Sequence, residues 1–237
     1  MLRAALSIGL LILTSLFSFA NAEAIAKVVG LYGSPTASGR TLNVGSDIQE
    51  HDKIAVGSGN VQILFNDGTK LVLGSGSSLV IEKYLMKGGN TASNVSIDAL
   101  RGTFRFITGN SAKNAYHIKT ANSTIGIRGT GFDFWVNNDT GVAVLEGKVK
   151  LCRSGKCVDI NSNCQAGVAK ATDTQLLKPR PESLAIRTHF PFILDQSWLR
   201  ASFRLKVQSC DEILSLTAPV ERSSNPGCTS NCSRRKD

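Results

Sequence analysis

The strongest constraint on how this chain can fold is the way glycine, asparagine and aspartate break it into short apolar runs. The plainest case is Val61-Gln62-Ile63-Leu64-Phe65, then Asn66-Asp67-Gly68, then Thr69-Lys70-Leu71-Val72-Leu73. Two apolar, β-branched runs flank an Asp-Gly step, which supplies the positive φ that a tight hairpin needs. Ser78 to Tyr84 follows as another strand, with Leu79, Ile81 and Lys83 alternating with Val80, Glu82 and Tyr84. Further runs span 95–100, 102–107, 116–120, 131–136, 141–145 and 148–151. Turn signals recur roughly every ten residues and no long stretch with a 3.6-residue period intervenes, which argues an all-β domain.

This pattern holds from residue 24 to about residue 158, a length that can bury one core unaided. The predicted fold class is therefore all-β, a stacked short-strand β-roll or sandwich, followed by a small, disulfide-bearing, partly helical C-terminal extension over 159–218. Pro179-Arg180-Pro181 reads as a linker or sharp stop, since neither proline can sit in a helix interior or a strand ladder. Glu182 to Thr188 is expected to form one or two helical turns. Asp195 is placed to cap a longer helix from Gln196 to about Gln208, where Leu199, Phe203 and Val207 recur every four residues. From Pro219 to Asp237 the composition predicts disorder.

The amino terminus predicts export. Met1-Leu2-Arg3 precedes an apolar stretch from Ala4 to Ala20, which closes on Ala20-Asn21-Ala22 and is followed by Glu23. One positive charge, a short hydrophobic region and an Ala-x-Ala site are the parts of a secretory signal peptide, here residues 1–22. Such a stretch lies at the bottom of the range that spans a bilayer, so no transmembrane anchor is expected in the mature form. All six cysteines (Cys152, Cys157, Cys164, Cys210, Cys228 and Cys232) lie after residue 151. An even number behind a signal peptide reads as disulfides. The simplest pairing is 152–157, 164–210 and 228–232, one of fifteen connectivities that six cysteines allow. Zinc would call for pairs such as Cys-x2-Cys with further Cys or His nearby, and no His accompanies Cys152-x4-Cys157 or Cys228-x3-Cys232.

Chemistry is hard to find. His51, His117 and His189 are scattered, and none has an acid or thiol at useful spacing. Gly74-Ser75-Gly76-Ser77-Ser78 lies between strands and reads as a turn, not a nucleophile elbow before a helix. Asp67 and Asp139 belong to turns for backbone reasons. There is no phosphate loop or dinucleotide fingerprint, and Cys152-x4-Cys157 lacks the thioredoxin spacing. We therefore read the chain as non-enzymatic, with no catalytic residue, metal ligand or cofactor. The formal charge is +9, from 27 Lys and Arg against 18 Asp and Glu, which can steer a protein toward anionic partners. The cations are spread along the sequence and aromatics are few (6%), so no nucleic-acid stacking platform is visible. The sequons at Asn94, Asn122, Asn138 and Asn231 would matter only in a eukaryotic secretory route.

The most distinctive run is Thr124 to Val136, TIGIRGTGFDFWV. Gly126, Gly129 and Gly131 among β-branched and aromatic residues imply bulges or close backbone approach. Arg128, between two of these glycines and followed by Thr130, has a rigid fork suited to several carbonyls or to a carboxylate. Two readings stay open for Gly126, Arg128, Gly129 and Thr130: an internal tie that locks a kinked strand, or a site for an anionic ligand.

The order of these pieces resembles the FecR-type domain. The matching stretches are Ala55 to Gly59, the Asp-Gly hairpin of Val61 to Leu73, Gly74 to Tyr84, Leu100 to Phe106, Ile125 to Val136 and Val142 to Val149. The resemblance covers roughly residues 26–152. It implies an all-β exported module without catalytic residues. In iron-uptake signalling, such proteins relay occupancy of an outer-membrane receptor to a sigma factor through a cytoplasmic segment and a transmembrane helix. With a cleavable segment at the head of this chain, the resemblance implies instead a stand-alone exported form, in the periplasm or at the surface of a bacterium. The expected function is non-catalytic binding or scaffolding for an envelope protein or an anionic glycan. The alternative is an accessory role in envelope signalling that senses an outer-membrane receptor. Amino-terminal sequencing of the secreted chain is expected to begin at Glu23; a start at Met1 would mean that the hydrophobic segment is retained.

Overall fold

Alternating apolar side chains pair the short runs into two sheets that face each other across one core. The structure is a computed structural model that describes residues 23–129, 131–177, 189–207 and Cys210. The expected signal peptide, Thr130, the Pro179-Arg180-Pro181 break, the helical turns at Glu182 to Thr188, and everything beyond Cys210 (Cys228 and Cys232 included) lie outside the described residues.

The first sheet is built from β1 (Ala24–Gly33), β4 (Asp47–Gln49), β6 (Gly59–Phe65), β7 (Lys70–Leu73), half of β9 (Thr91–Ile107), β12 (Gly131–Val136), β13 (Thr140–Glu146), β16 (Ala166–Ala169) and β17 (Thr174–Leu176). The second holds β2 (Thr36–Ala37), β3 (Arg40–Thr41), β5 (Lys53–Ala55), β8 (Ser78–Gly88), the other half of β9, β10 (Tyr116–Thr120), β11 (Thr124–Ile127), β14 (Val149–Arg153) and β15 (Lys156–Ile160). All pairings are antiparallel except β9 with β10. The sheet does not end near residue 158, since β16 pairs with β13 and carries β17 on its other edge.

The runs at 95–100 and 102–107 are one strand, β9, which passes from the second sheet into the first. The crossing is made at Gly102. Its φ is +105°, and a Cβ there would lie 2.3 Å from the Ser77 Cα. Val95, Ile97 and Ala99 point into the core before the bend, and Phe104 and Phe106 after it. The bend thus shifts the inward set from odd to even positions and leaves Arg105 on the outer face. Phe104 stacks on Phe134 with centroids 4.7 Å apart, and Phe106 meets Phe132 at 5.6 Å, so aromatic rings fill the centre.

The Asn-Asp-Gly hairpin forms, with a longer turn than a two-residue loop. The Phe65 N–H donates to the Thr69 carbonyl and the Gly68 N–H to the Phe65 carbonyl, both at 2.9 Å, and of the three turn residues only Gly68 has positive φ. Asp67 is more than a turn former, because its side chain is fully buried. Its Oδ2 accepts from the hydroxyls of Ser111 (2.7 Å), Thr69 (2.9 Å) and Tyr116 (3.0 Å). Its Oδ1 accepts from the Thr69 N–H (3.1 Å) and the Tyr84 hydroxyl (3.2 Å). Neutral donors alone therefore close the cage and tie the first hairpin to β8 and β10 of the opposite sheet.

Burial, with the Asp67 charge adding to it, holds the Tyr84 hydroxyl well above its ordinary range, and burial raises Tyr116 too. Unfolded tyrosines release their protons near pH 10, whereas the native cage retains them. Stability is therefore full below about pH 10 and falls as pH rises beyond it. Urea unfolding followed from about pH 8 to about pH 11.5 is expected to show this fall, flattened in Tyr84→Phe. Equal slopes in the two proteins would remove Tyr84 from the account.

Candidate functional site

Arg105 on β9 and Asp133 on β12 stand directly opposite each other in the first sheet, on the face turned away from the core. Both are buried, Arg105 completely. The Arg105 Nε donates to Asp133 Oδ1 at 2.6 Å and its Nη2 to Oδ2 at 2.8 Å. The other Nη2 proton goes to the Phe192 carbonyl at 3.0 Å, and Nη1 donates to the Gln196 Oε1 and the Phe203 carbonyl (3.4 Å). All five guanidinium N–H groups thus have acceptors. Desolvation pushes the Asp133 carboxyl above its ordinary range, and the Arg105 charge opposes that.

The segment that supplies these acceptors, residues 189–207, lies as a strap over the outer face. It contains a short helix, α1 (Pro191–Leu194), and a 3-10 turn at Ala201–Phe203. The expected helix from Gln196 to Gln208 does not form across the described residues. Asp195 is instead the C-terminal cap of α1, and its carboxylate accepts from the Ser197 N–H at 2.8 Å. The strap's backbone groups are satisfied by side chains, which removes the need for a helical ladder. The Gln196 amide bonds both the N–H (2.9 Å) and the carbonyl (3.0 Å) of Leu205. Arg204 donates to the carbonyls of Ser197 (2.7 Å) and Leu199 (2.8 Å). Leu199 and Phe203 are buried as their spacing suggested, packed with Val72 and Phe192 on the sheet rather than along a helix face. A disulfide between Cys164 and Cys210 closes the far end, beside Phe190, Ile193 and Trp135.

Where the strap meets the sheet edge, a groove of about 710 Å³ remains. Pro191, Phe192 and Trp198 form the strap wall, Leu31 and Tyr32 of β1 the other wall, and Asn60, Ser75 and Thr103 supply polar groups. Tyr32 is 74% exposed and Trp198 38%, the latter held edge-on to Phe192 at 5.6 Å. Gln62 fixes the strap beside the groove by accepting the Arg200 N–H at 2.9 Å, while the Arg200 guanidinium donates to the Val29 carbonyl at 3.1 Å. Apart from the Tyr32 phenol no lining side chain ionises. The groove therefore has aromatic rims, apolar walls and neutral hydrogen-bonding groups, which suits binding.

The residues singled out in the sequence lie elsewhere. Gly126 and Arg128 are exposed on the outer face of the second sheet. The Arg128 N–H donates to the Lys148 carbonyl at 2.9 Å, and its side chain has no hydrogen bond or ion pair to a described residue. Gly129 is buried, and a Cβ there would lie 2.2 Å from the Lys148 nitrogen; one at Gly131 would lie 2.7 Å from Leu205 Cδ1. The arginine tie envisaged for Arg128 is made by Arg105. Its signal was a pair of matched triplets, Phe104-Arg105-Phe106 and Phe132-Asp133-Phe134, each with one charge between two inward rings. Cys152 and Cys157 are bonded across the β14–β15 hairpin. The histidines are far apart: His51 lies beside Glu50, His117 is exposed on β10, and His189 packs on Trp135. Among the described residues no group of three or more His, Cys, Asp or Glu side chains is placed to hold a metal ion.

The family described as FecR protein matches residues 52–150. The chain carries a FecR-type domain. Two crystal structures of a candidate anti-sigma factor from Parabacteroides distasonis are similar to it at 16% identity. Their TM-scores are 0.42 and 0.43, over 53% and 57% of this chain and 57% and 64% of theirs. This chain therefore spans less than two thirds of those proteins. No curated protein matches the sequence. The FecR match includes Arg105, Asp133 and the Asp67 cage, but Tyr32 and the strap lie outside it.

Replacing Arg105 by Met strands a buried carboxylate and is expected to cost about 3–5 kcal/mol. The double replacement Arg105→Met with Asp133→Leu is expected to recover most of that loss in chemical denaturation. Equal losses in the single and double variants would mean that the pair is not the source of the effect.

Proposed function

We propose that the protein is a non-catalytic binding module of the bacterial cell envelope, which takes a segment of another envelope protein into the groove beside the strap. The observation that carries this reading is the pair of exposed aromatics, Tyr32 and Trp198, lining one largely apolar groove whose strap side is packed and hydrogen-bonded. Aromatic side chains of this kind dominate binding energy at protein interfaces. The disulfides support an oxidising compartment and hence an exported location. The FecR match favours a second reading on the same surface, in which the bound protein belongs to an envelope signalling system and occupancy of the groove is what the module reports.

A photo-crosslinking amino acid placed at position 32 or 198 in intact cells is expected to trap a discrete partner, and one at exposed Lys170 is not. Tyr32→Ala, at a residue with little packing to lose, is expected to weaken capture at least about tenfold without lowering the melting temperature. The same products from position 170, or none from 32 and 198, would end the proposal. Identification of a receptor or sigma-factor regulator among the trapped proteins selects the signalling reading.

A further inference from the structure

The three glycines of the TIGIRGTG run are not equivalent. Gly129 and Gly131 are dictated by space, since a Cβ at either would collide with its neighbours. Gly126 is not. Its φ is an ordinary one, and a Cβ there would lie 3.6 Å from the Lys150 carbonyl oxygen, a normal contact. A β-branched residue would suit this position in β11 better. A strand glycine that the fold does not need marks a place where something approaches the backbone.

The missing side chain opens a furrow of about 180 Å³ between His117 and Lys119 on β10 and Lys150 on β14. These residues share the open face of the second sheet, because His117 and Lys150 stand on either side of Gly126 in the register, and Lys119 beside Thr124. Arg128 and Lys148 continue the line, both exposed. Acids on this face are Asp98, beside Lys119, and Asp159, 3.4 Å from Lys150. Glu82 lies further off, in a bulge next to Lys83. The cations that looked evenly spread in the sequence are thus gathered into a line across neighbouring strands. His117 and Lys150 are two strand spacings apart across Gly126, roughly 10 Å, and Lys119 lies two residues further along β10. No Phe, Tyr or Trp is exposed among the described residues of this line, so base stacking has no platform. The Cys152–Cys157 disulfide stiffens the hairpin at the furrow's end.

We infer that the open face of the second sheet binds an anionic polysaccharide, one charged group per sugar, laid through the Gly126 furrow along the line of His117, Lys119, Lys150, Lys148 and Arg128. This surface is separate from the groove on the opposite face, and neither proposal depends on the other.

The test is binding of the purified full chain to alginate, a linear polymer with one carboxylate per sugar. The expected result is retention that weakens with added salt, none on uncharged dextran, and weaker binding to single-stranded DNA of matched charge. Gly126→Val fills the furrow without changing charge and is expected to reduce alginate binding at least about tenfold, the equivalent of one charge-assisted hydrogen bond, while the melting temperature holds or rises. Lys119→Glu is expected to lose as much. Lys27→Glu, the same charge change on the first sheet, is expected to have little effect. Unchanged alginate binding by a folded Gly126→Val protein would overturn the inference. So would absence of alginate binding at low salt, equal binding to dextran, or equal binding to the DNA.

Discussion

The charge pair between Arg105 and Asp133 decides how the rest of the molecule must be arranged. Both residues sit on central strands of the first sheet, where Phe104, Phe106, Phe132 and Phe134 hold their backbones in place. Asp133 engages only two of the guanidinium's five N–H groups, and the others need acceptors once the site is covered. The strap supplies them from Phe192, Gln196 and Phe203. A buried pair of this kind adds little stability by itself, but half of it left alone is strongly unfavourable. It therefore specifies one seating of the strap rather than strengthening any seating. The Cys164–Cys210 bridge acts in the same direction from the unfolded side. Closing a loop of 46 residues removes roughly 4 kcal/mol of chain entropy in the simplest treatment.

With the strap fixed, the two outer faces acquire different chemistry. The first sheet is roofed by aromatic and aliphatic side chains, and the gap at the roof's edge is the neutral groove of Tyr32 and Trp198. The second sheet has no described roof over β10, β11 and β14, and there the alternating outward positions are His117, Lys119, Thr124, Gly126, Lys150 and Cys152. The groove draws one wall from β1 and the other from the strap, both outside the FecR match, so proteins that share the matched residues need not share the groove. The aromatic walls of this surface thus come from the flanking segments, while its polar groups, Asn60, Ser75 and Thr103, come from the matched residues.

What the sequence disclosed follows the range of the forces involved. Strand runs and hairpins depend on neighbours a few residues apart, and the Asp-Gly hairpin and the all-β class were legible for that reason. The joining of 95–100 to 102–107 was not, because Gly102 looks like a turn glycine until Ser77 is seen packed against it. Asp67 satisfied every rule for a turn residue, and the hydroxyls that bury it come from positions 69, 84, 111 and 116. The four-residue recurrence of Leu199, Phe203 and Val207 looked helical because burial imposes that spacing on helices. Here the sheet imposes the burial, while Arg105, Gln196 and Arg204 take the backbone groups a helix would have used. Arg128 stands out in the sequence through its glycines, while Arg105 is inconspicuous between phenylalanines. A charge between two core-facing rings was the more informative sign, since it states that the outer face of that strand must be covered.

The two proposed surfaces lie on opposite faces of one packed core, and β9 contributes to both sheets, with Asp98 on the open face and Thr103 at the groove. Stacked rings pack β9 between them, and no element with two arrangements links the two surfaces among the described residues. The two surfaces are therefore expected to act additively, so that a glycan on one face does not alter affinity for protein on the other. Additive sites still change the outcome. A module held to a polymer presents its groove at an effective concentration set by the tether rather than by bulk protein. Modest affinity on each face is then enough to keep a bound envelope protein at the polymer, which is the physical content of a scaffold.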